Sequence, residues 1–186
     1  MNRYEQPHYR VRVQADGYEV RTYDSYLAAE TTVSGNFDST GTTAFRRLAG
    51  FIFGNNAQNV KMNMTVPVTR EQAGEGRFRY RFVMEQAYSE DNLPRPVDPH
   101  VEIVRIPAGD YAALRYRGRR NEAAYLRAES DLVAALHRDG WTLTGKPISA
   151  VYNGPFTPPP LRHNEVLVPV AVREEGTGVR SSARMH

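Results

Sequence analysis

"EVRTYDSYLAAETTVSG", residues 19–35, has a counterpart later in the chain: "EIVRIPAGDYAALRYRG", residues 102–118. The two stretches are equal in length, and each reads as a strand, a turn and a second strand ending in glycine. Glu19/Glu102, Val20/Ile103, Ala29/Ala112 and Gly35/Gly118 coincide. In the first copy Tyr18 and Val20 alternate with Glu19 and Arg21. After a turn near Asp24-Ser25, Leu27, Ala29, Thr31 and Val33 share one face.

The elements downstream of each copy also match in order. After the first, Asp38-Ser39-Thr40 supplies N-cap chemistry, and Phe45, Leu48, Ala49 and Ile52 recur at helical spacing until Gly54. "KMNMTVPVT" (61–69) and "RFRYRFVME" (77–85) then read as strands. In the second of these, Phe78, Tyr80, Phe82 and Met84 oppose a face of arginines. In 61–69, Met62 and Met64 share a strand face, and Pro67, which cannot donate to a ladder, marks an edge or bulge. "SEDNLPRPVDPH" (89–100) is an aperiodic connector. After the second copy, Asn121 caps a helix with Tyr125, Ala128, Leu132 and Leu136 on one face, closed by Asp139-Gly140. "ISAVYNG" and "NEVLVPVAV" are its two strands.

The matched order predicts a duplicated β-β-α-β-β unit, with pseudo-repeats at about 17–88 and 101–172 in a single domain. Residues 1–16 read as a lead-in and 173–186 as a flexible tail. One helix with one apolar stripe cannot cover a four-stranded sheet. Two units together can close a distorted antiparallel β-barrel or sheet with both helices outside, an α+β fold. A cleft between a helix and the sheet rim is then a natural small-molecule site.

Composition narrows the function classes. With 40% hydrophobic and 24% charged residues the chain is globular. It has no cysteine, hence no disulfide, thiol nucleophile or zinc knuckle. No apolar run reaches signal-peptide or membrane-spanning length, so a soluble cytoplasmic protein without a membrane partner is expected. The net charge is +3, and of 24 basic residues lysine supplies two, Lys61 and Lys146. The arginines are scattered rather than gathered on a helix, and no nucleic-acid partner is expected. Oligomeric state is left open, with a monomer as the working expectation.

Three further stretches carry a family resemblance. "YEVRTYDSYLAAET", "MNMTVPV" and "YNGPFTPPPLRHNEV" together resemble the SOUL haem-binding family. "MTVPV" (64–68) and "RHNEV" (162–166) are similar to its recurring M-T-x-P-[VI] and R-R-N-E stretches, in the expected order. The resemblance covers roughly residues 17–170. It implies a distorted β-barrel with two helices, built from a repeated half, that binds haem or other tetrapyrroles in an apolar groove. It also implies kinship with the effector-binding domains of multidrug-responsive regulators and with gyrase-inhibitor-like proteins. Some members are held to use an axial histidine in the first "YEVR-x-Y" strand. This chain has Thr22 there, which points to weak or absent axial ligation. It has His163 where the family more often has arginine.

Haem needs an apolar wall, cations for its propionates and optionally an iron ligand. Phe45, Leu48 and Ile52 with Met62 and Met64 are candidates for the wall, and Arg46 or Lys61 for the propionates. The same apolar residues equally suit a core. His163 is the candidate iron ligand among His8, His100, His137, His163 and His186, being the one inside a motif. Glu165 has two readings. It can pair with Arg162 or a nearby arginine to close the sheet, or act beside Tyr152 as the general base of a small hydrolase. No Ser-His-Asp order, phosphate loop or H-E-x-x-H motif supports other catalysis. The leading expectation is a non-catalytic carrier that sequesters or transports a tetrapyrrole. The alternatives are that hydrolase and a regulatory ligand- or partner-binding module.

Overall fold

In a computed structural model the chain is described over residues 4–154 and 157–172; the expected tail, 173–186, lies outside the described residues. The strands are β1 Tyr9–Gln14, β2 Glu19–Tyr23, β3 Tyr26–Ser34, β4 Val68–Gln72 and β5 Arg77–Val83. They continue with β6 Glu102–Ile106, β7 Gly109–Tyr116, β8 Trp141–Leu143, β9 Ile148–Val151 and β10 Asn164–Val172. Helix α1 spans Thr40–Ile52 and α2 spans Glu122–Arg138. Among the described residues no helix is long and apolar enough to cross a membrane.

The strands form one curled antiparallel sheet in the order β1-β2-β7-β10-β9-β4-β5-β3-β6, with β8 on the far end of β10. From β2 to β6 this order is palindromic. Exchanging β2 for β6, β7 for β3, β10 for β5 and β9 for β4 reproduces it. The registers agree residue by residue. Val20 faces Ala112 where Ile103 faces Ala29, and Glu19 faces Ala113 where Glu102 faces Glu30. At the centre Thr69 faces Ala150 and Glu71 faces Ile148. The leading strand of each half pairs with the other half, β2 on β7 and β6 on β3, so neither half completes its sheet alone.

Both helices lie on one face. Ala44, Leu48, Phe51 and Ile52 of α1 bury against Leu27, Ala29, Val33, Phe82 and Met84. Tyr125, Ala128, Leu132 and Leu136 of α2 bury against Val20, Ala112, Val166 and Val168. Each large aliphatic side chain buried here contributes about 1.5–3 kcal/mol. The opposite face has its own smaller core of Ala113, Ile148, Ala150, Tyr152 and Leu167, with Val66 packed in. The central strands are therefore buried on both sides. The glycines that end the matched stretches, Gly35 (φ +144°) and Gly118 (φ +106°), have backbone angles that side-chain-bearing residues rarely adopt.

Five expectations need correction. The lead-in contains β1, an edge strand on β2 with Tyr9 opposite Tyr23, and its alternation of Tyr9, Val11 and Val13 with Arg10, Arg12 and Gln14 is a plain strand pattern. The strand expected over 61–69 begins only at Val68. Residues 61–67 instead cross the sheet end, tied down by Met62 N–H to the Ile52 carbonyl (2.7 Å) and Thr65 Oγ1 to the Val83 carbonyl (2.6 Å). Met62 is therefore buried and Met64 half-buried, without a shared strand face, and Pro67 is buried before a central strand rather than marking an edge. Finally, Ser39 makes no side-chain cap on α1. Asn36 serves that end, its Oδ1 accepting from Ser39 N–H (2.9 Å). Asn121 does cap α2, accepting from Ala124 N–H at 3.0 Å.

Candidate functional site: a groove between the helices

Sheet register decides what lies between the helices. One cross-strand row on the helix-bearing face reads Tyr80, Arg70, Ser149, Val166, Leu114. It is roofed. The Arg70 guanidinium sits 3.1 Å from the Phe37 ring centroid and donates to the Phe37 carbonyl (2.6 Å). Phe37 in turn stacks on Tyr125 of α2 at 5.3 Å, which joins the entry of α1 to α2 across that row.

The neighbouring row reads Phe82, Val68, Val151, Asn164, Tyr116 across β5, β4, β9, β10 and β7. It lacks such a roof: Val68, Val151 and Tyr116 are each partly exposed. Phe45 of α1 stands over Phe82 with ring centroids 5.5 Å apart and is 47% exposed. Half-buried Met64 packs on the same cluster as Val68. This is a shallow apolar groove with Phe45 and Met64 on one side and Tyr116 on the other. At the Tyr116 end Arg120 is held by the carbonyls of Asn153 (3.2 Å) and Gly154 (3.1 Å). Burial and the nearby Arg162 charge lower the Arg120 pKa, as expected of two cations placed close together. Arg162 itself donates from Nε to the Thr157 carbonyl (2.7 Å).

The structure divides the candidates read from sequence. Phe45 and Met64 face the groove. Leu48 (0% exposed), Ile52 (1%) and Met62 (6%) lie beneath it in the core. Arg46 and Lys61 are exposed on and just beyond α1. His163 is not brought to this place, because it belongs to the opposite face. The groove residues missed in sequence, Val68, Val151, Tyr116 and Arg120, come together only through register. Two cavities, of about 420 and 550 Å³, open elsewhere on either side of the Arg105–Glu90 ion pair. They contain none of the candidate residues, and their rims mix both charges.

On the opposite face Glu165, 1% exposed, receives four hydrogen bonds. Arg21 grips both oxygens, Nη1 to Oε2 at 2.7 Å and Nη2 to Oε1 at 2.9 Å. Tyr152 donates to Oε2 at 2.8 Å, and His163 Nε2 lies 2.6 Å from Oε1. An ionised carboxylate only accepts, so Nε2 carries the proton. The His163 ring stacks on Tyr152 at 4.2 Å. Arg21 is itself held by Glu19 (2.6 Å) and lies over the Tyr9 ring at 4.6 Å. Burial alone would raise the Glu165 pKa, but the hydrogen bonds from His163 and Arg21 and the Arg21 charge lower it to about 2. Burial, then the Glu165 charge, push the Tyr152 hydroxyl well above its ordinary range. A carboxylate so saturated has no free lone pair for a substrate proton, and this geometry does not fit a general base. Glu165 does close the sheet through an arginine, and that arginine is Arg21.

Among the described residues no group of three or more His, Asp or Glu could hold a metal ion. The profile of the SOUL heme-binding protein family matches residues 4–169.

The chain belongs to that family.

Solved structures show how widely the SOUL architecture is shared. The C-terminal domain of EcmrR is similar at a TM-score of 0.65 and 11% identity, covering 88% of this chain and 98% of that one. A hydrolase from Listeria innocua is similar at 0.60 and 10%, covering 86% and 94%. At such identities the likeness is one of fold. A search of curated proteins finds no match.

Proposed function

We propose that this SOUL protein binds a tetrapyrrole non-catalytically in the groove between its helices, as a sequestering or carrier protein. One observation carries the reading: the partly exposed apolar side chains Val68, Val151 and Tyr116 lie in one cross-strand row, with half-buried Met64 and 47% exposed Phe45 beside it. A flat apolar ring system fits such a floor, and Arg120 with Arg162 at one end, or Arg46 and Lys61 at the other, can meet its carboxylates.

The residues facing the groove fit the ring better than they fit an iron. Of the described histidines, His8 pairs with Asp24, His100 with Asp98 and His163 with Glu165, while His137 lies in the last turn of α2. Binding is therefore through apolar contact, with weak or absent axial ligation. Bound haem would supply its own redox and ligand chemistry; the protein's part is to hold and shield it.

The test is titration of hemin into purified protein. Saturable binding at micromolar concentration is expected, weakened about tenfold or more by Phe45→Ala. His163→Ala should leave the Soret position unchanged. Absence of any saturable spectral change with hemin, and with metal-free and open-chain tetrapyrroles alike, overturns the reading. A Soret shift in His163→Ala would overturn the ligation mode.

A further inference from the structure

Asn164 lies in the groove floor between Val151 and Tyr116, at 0% exposure, and neither its Oδ1 nor its Nδ2 has a hydrogen-bond partner among the described residues. In the adjacent roofed row Arg70 Nε is likewise buried without a partner among the described residues, but other polar atoms are engaged. There the Tyr80 hydroxyl meets Thr40 at 2.7 Å, and Arg70 donates to the Phe37 carbonyl. A buried primary amide with both functions unpaired destabilises a fold, and an apolar residue of similar volume would not. Its neighbour across the strand pair is half-buried Tyr116, whose hydroxyl is directed at Ser149. At 0% exposure the amide meets a ligand only where a neighbouring side chain such as Tyr116 turns aside.

Resting on the tetrapyrrole reading above, we propose that Asn164 is a specificity-determining residue that pairs with a lactam, so the preferred ligand is an open-chain, lactam-ended tetrapyrrole rather than haem. The chemistry of the amide decides between them. Asn164 offers an acceptor and a donor side by side. A lactam presents the complementary N–H and C=O on one edge and satisfies both. The carboxylates of haem only accept, so a propionate there would leave Oδ1 without a donor. The iron of haem gains nothing either, since the described histidines are directed elsewhere. The carboxylates of an open-chain ligand still suit Arg120 and Arg162.

The experiment compares biliverdin, protoporphyrin and hemin by absorbance titration against wild type, Asn164→Leu and Asn164→Ala. Biliverdin should bind wild type at least about tenfold more tightly than the two macrocycles. Both variants should lose roughly 10- to 100-fold in biliverdin affinity while macrocycle binding changes less than about threefold. Asn164→Leu should melt no lower than wild type; Asn164→Ala serves if the leucine variant does not fold. Equal binding of all three ligands, or equal losses in the variants, overturns the proposal and leaves the tetrapyrrole reading intact. A lower melting temperature in Asn164→Leu with unchanged ligand affinities makes Asn164 the holder of a buried water, and also overturns it. No binding of any of the three overturns both.

Discussion

Arg21→Met isolates the buried lock on the face away from the groove. The substitution keeps much of the side-chain volume but removes the cation that grips both oxygens of Glu165 at 2.7 and 2.9 Å. A carboxyl lowered to about 2 against an ordinary 4.5 corresponds to about 3 kcal/mol of favourable coupling in the folded state. Removing one partner of a buried pair costs about 3–5 kcal/mol, because the other charge stays buried. For a chain of 186 residues that is a fall in Tm on the order of 10 °C. The sign with pH is distinctive. A depressed carboxyl stabilises fully above its unfolded value of 4.5 and loses that contribution as pH falls toward 2. Wild type therefore weakens over this window. Arg21→Met has little of this contribution to lose, because its Glu165 is relieved by protonation, so the gap between the two narrows in acid. Urea melts at pH 7, 5 and 3 measure it, and Arg21→Met/Glu165→Gln should recover at least about 2 kcal/mol at pH 7. A gap under about 1 kcal/mol at pH 7, or one unchanged down to pH 3, refutes the argument.

Two further predictions concern the frame. Leu48→Ala should cost about 3–5 kcal/mol in denaturant melts, since Leu48 is fully buried beneath the groove, whereas Phe45→Ala, at 47% exposure, should cost less than about 1. Gly118→Ala should cost about 1 kcal/mol from its φ of +106° alone, and Gly35→Ala distinctly more, because its added Cβ would also stand 2.9 Å from Thr40 Cγ2. Equal costs at the two glycines would show that contact to be easily relieved.

The legible parts of the sequence were those written in local pattern. The helical stripes ending at Ile52 and Leu136 and the equivalence of Val20 with Ile103 all recur in the structure, the last as matched registers against Ala112 and Ala29. Arg21 was not legible. Period-two alternation with Val20 assigns it to solvent, yet β2 is buried on both faces, and its partner lies 144 residues away. The groove was half legible. Helical spacing marks Phe45, Leu48 and Ile52 alike as apolar, but which flank stays open depends on Phe37 roofing one row and not the next. Met62 and Met64 are separated for a similar reason, since a loop tied to Ile52 and Val83 does not obey strand alternation.

The "RHNEV" stretch gains its meaning from where β10 runs. Neighbouring residues of a strand point to opposite faces, so Asn164 enters the groove floor between the helices while Glu165 enters the lock with Arg21. One motif thus serves two different demands. The charge that stabilises the half-barrel is saturated by four donors and sealed from solvent. The amide one residue earlier is buried and has no partner among the described residues. A fold that satisfies its buried charge so fully, and leaves a neutral amide unpaired on the other side of the same strand, separates stability from recognition. Substitutions on the lock side should report on folding, and those on the groove side on the ligand. A bound tetrapyrrole would then stabilise the protein by contact with Phe45, Met64 and Tyr116 without disturbing Arg21 and Glu165 behind them.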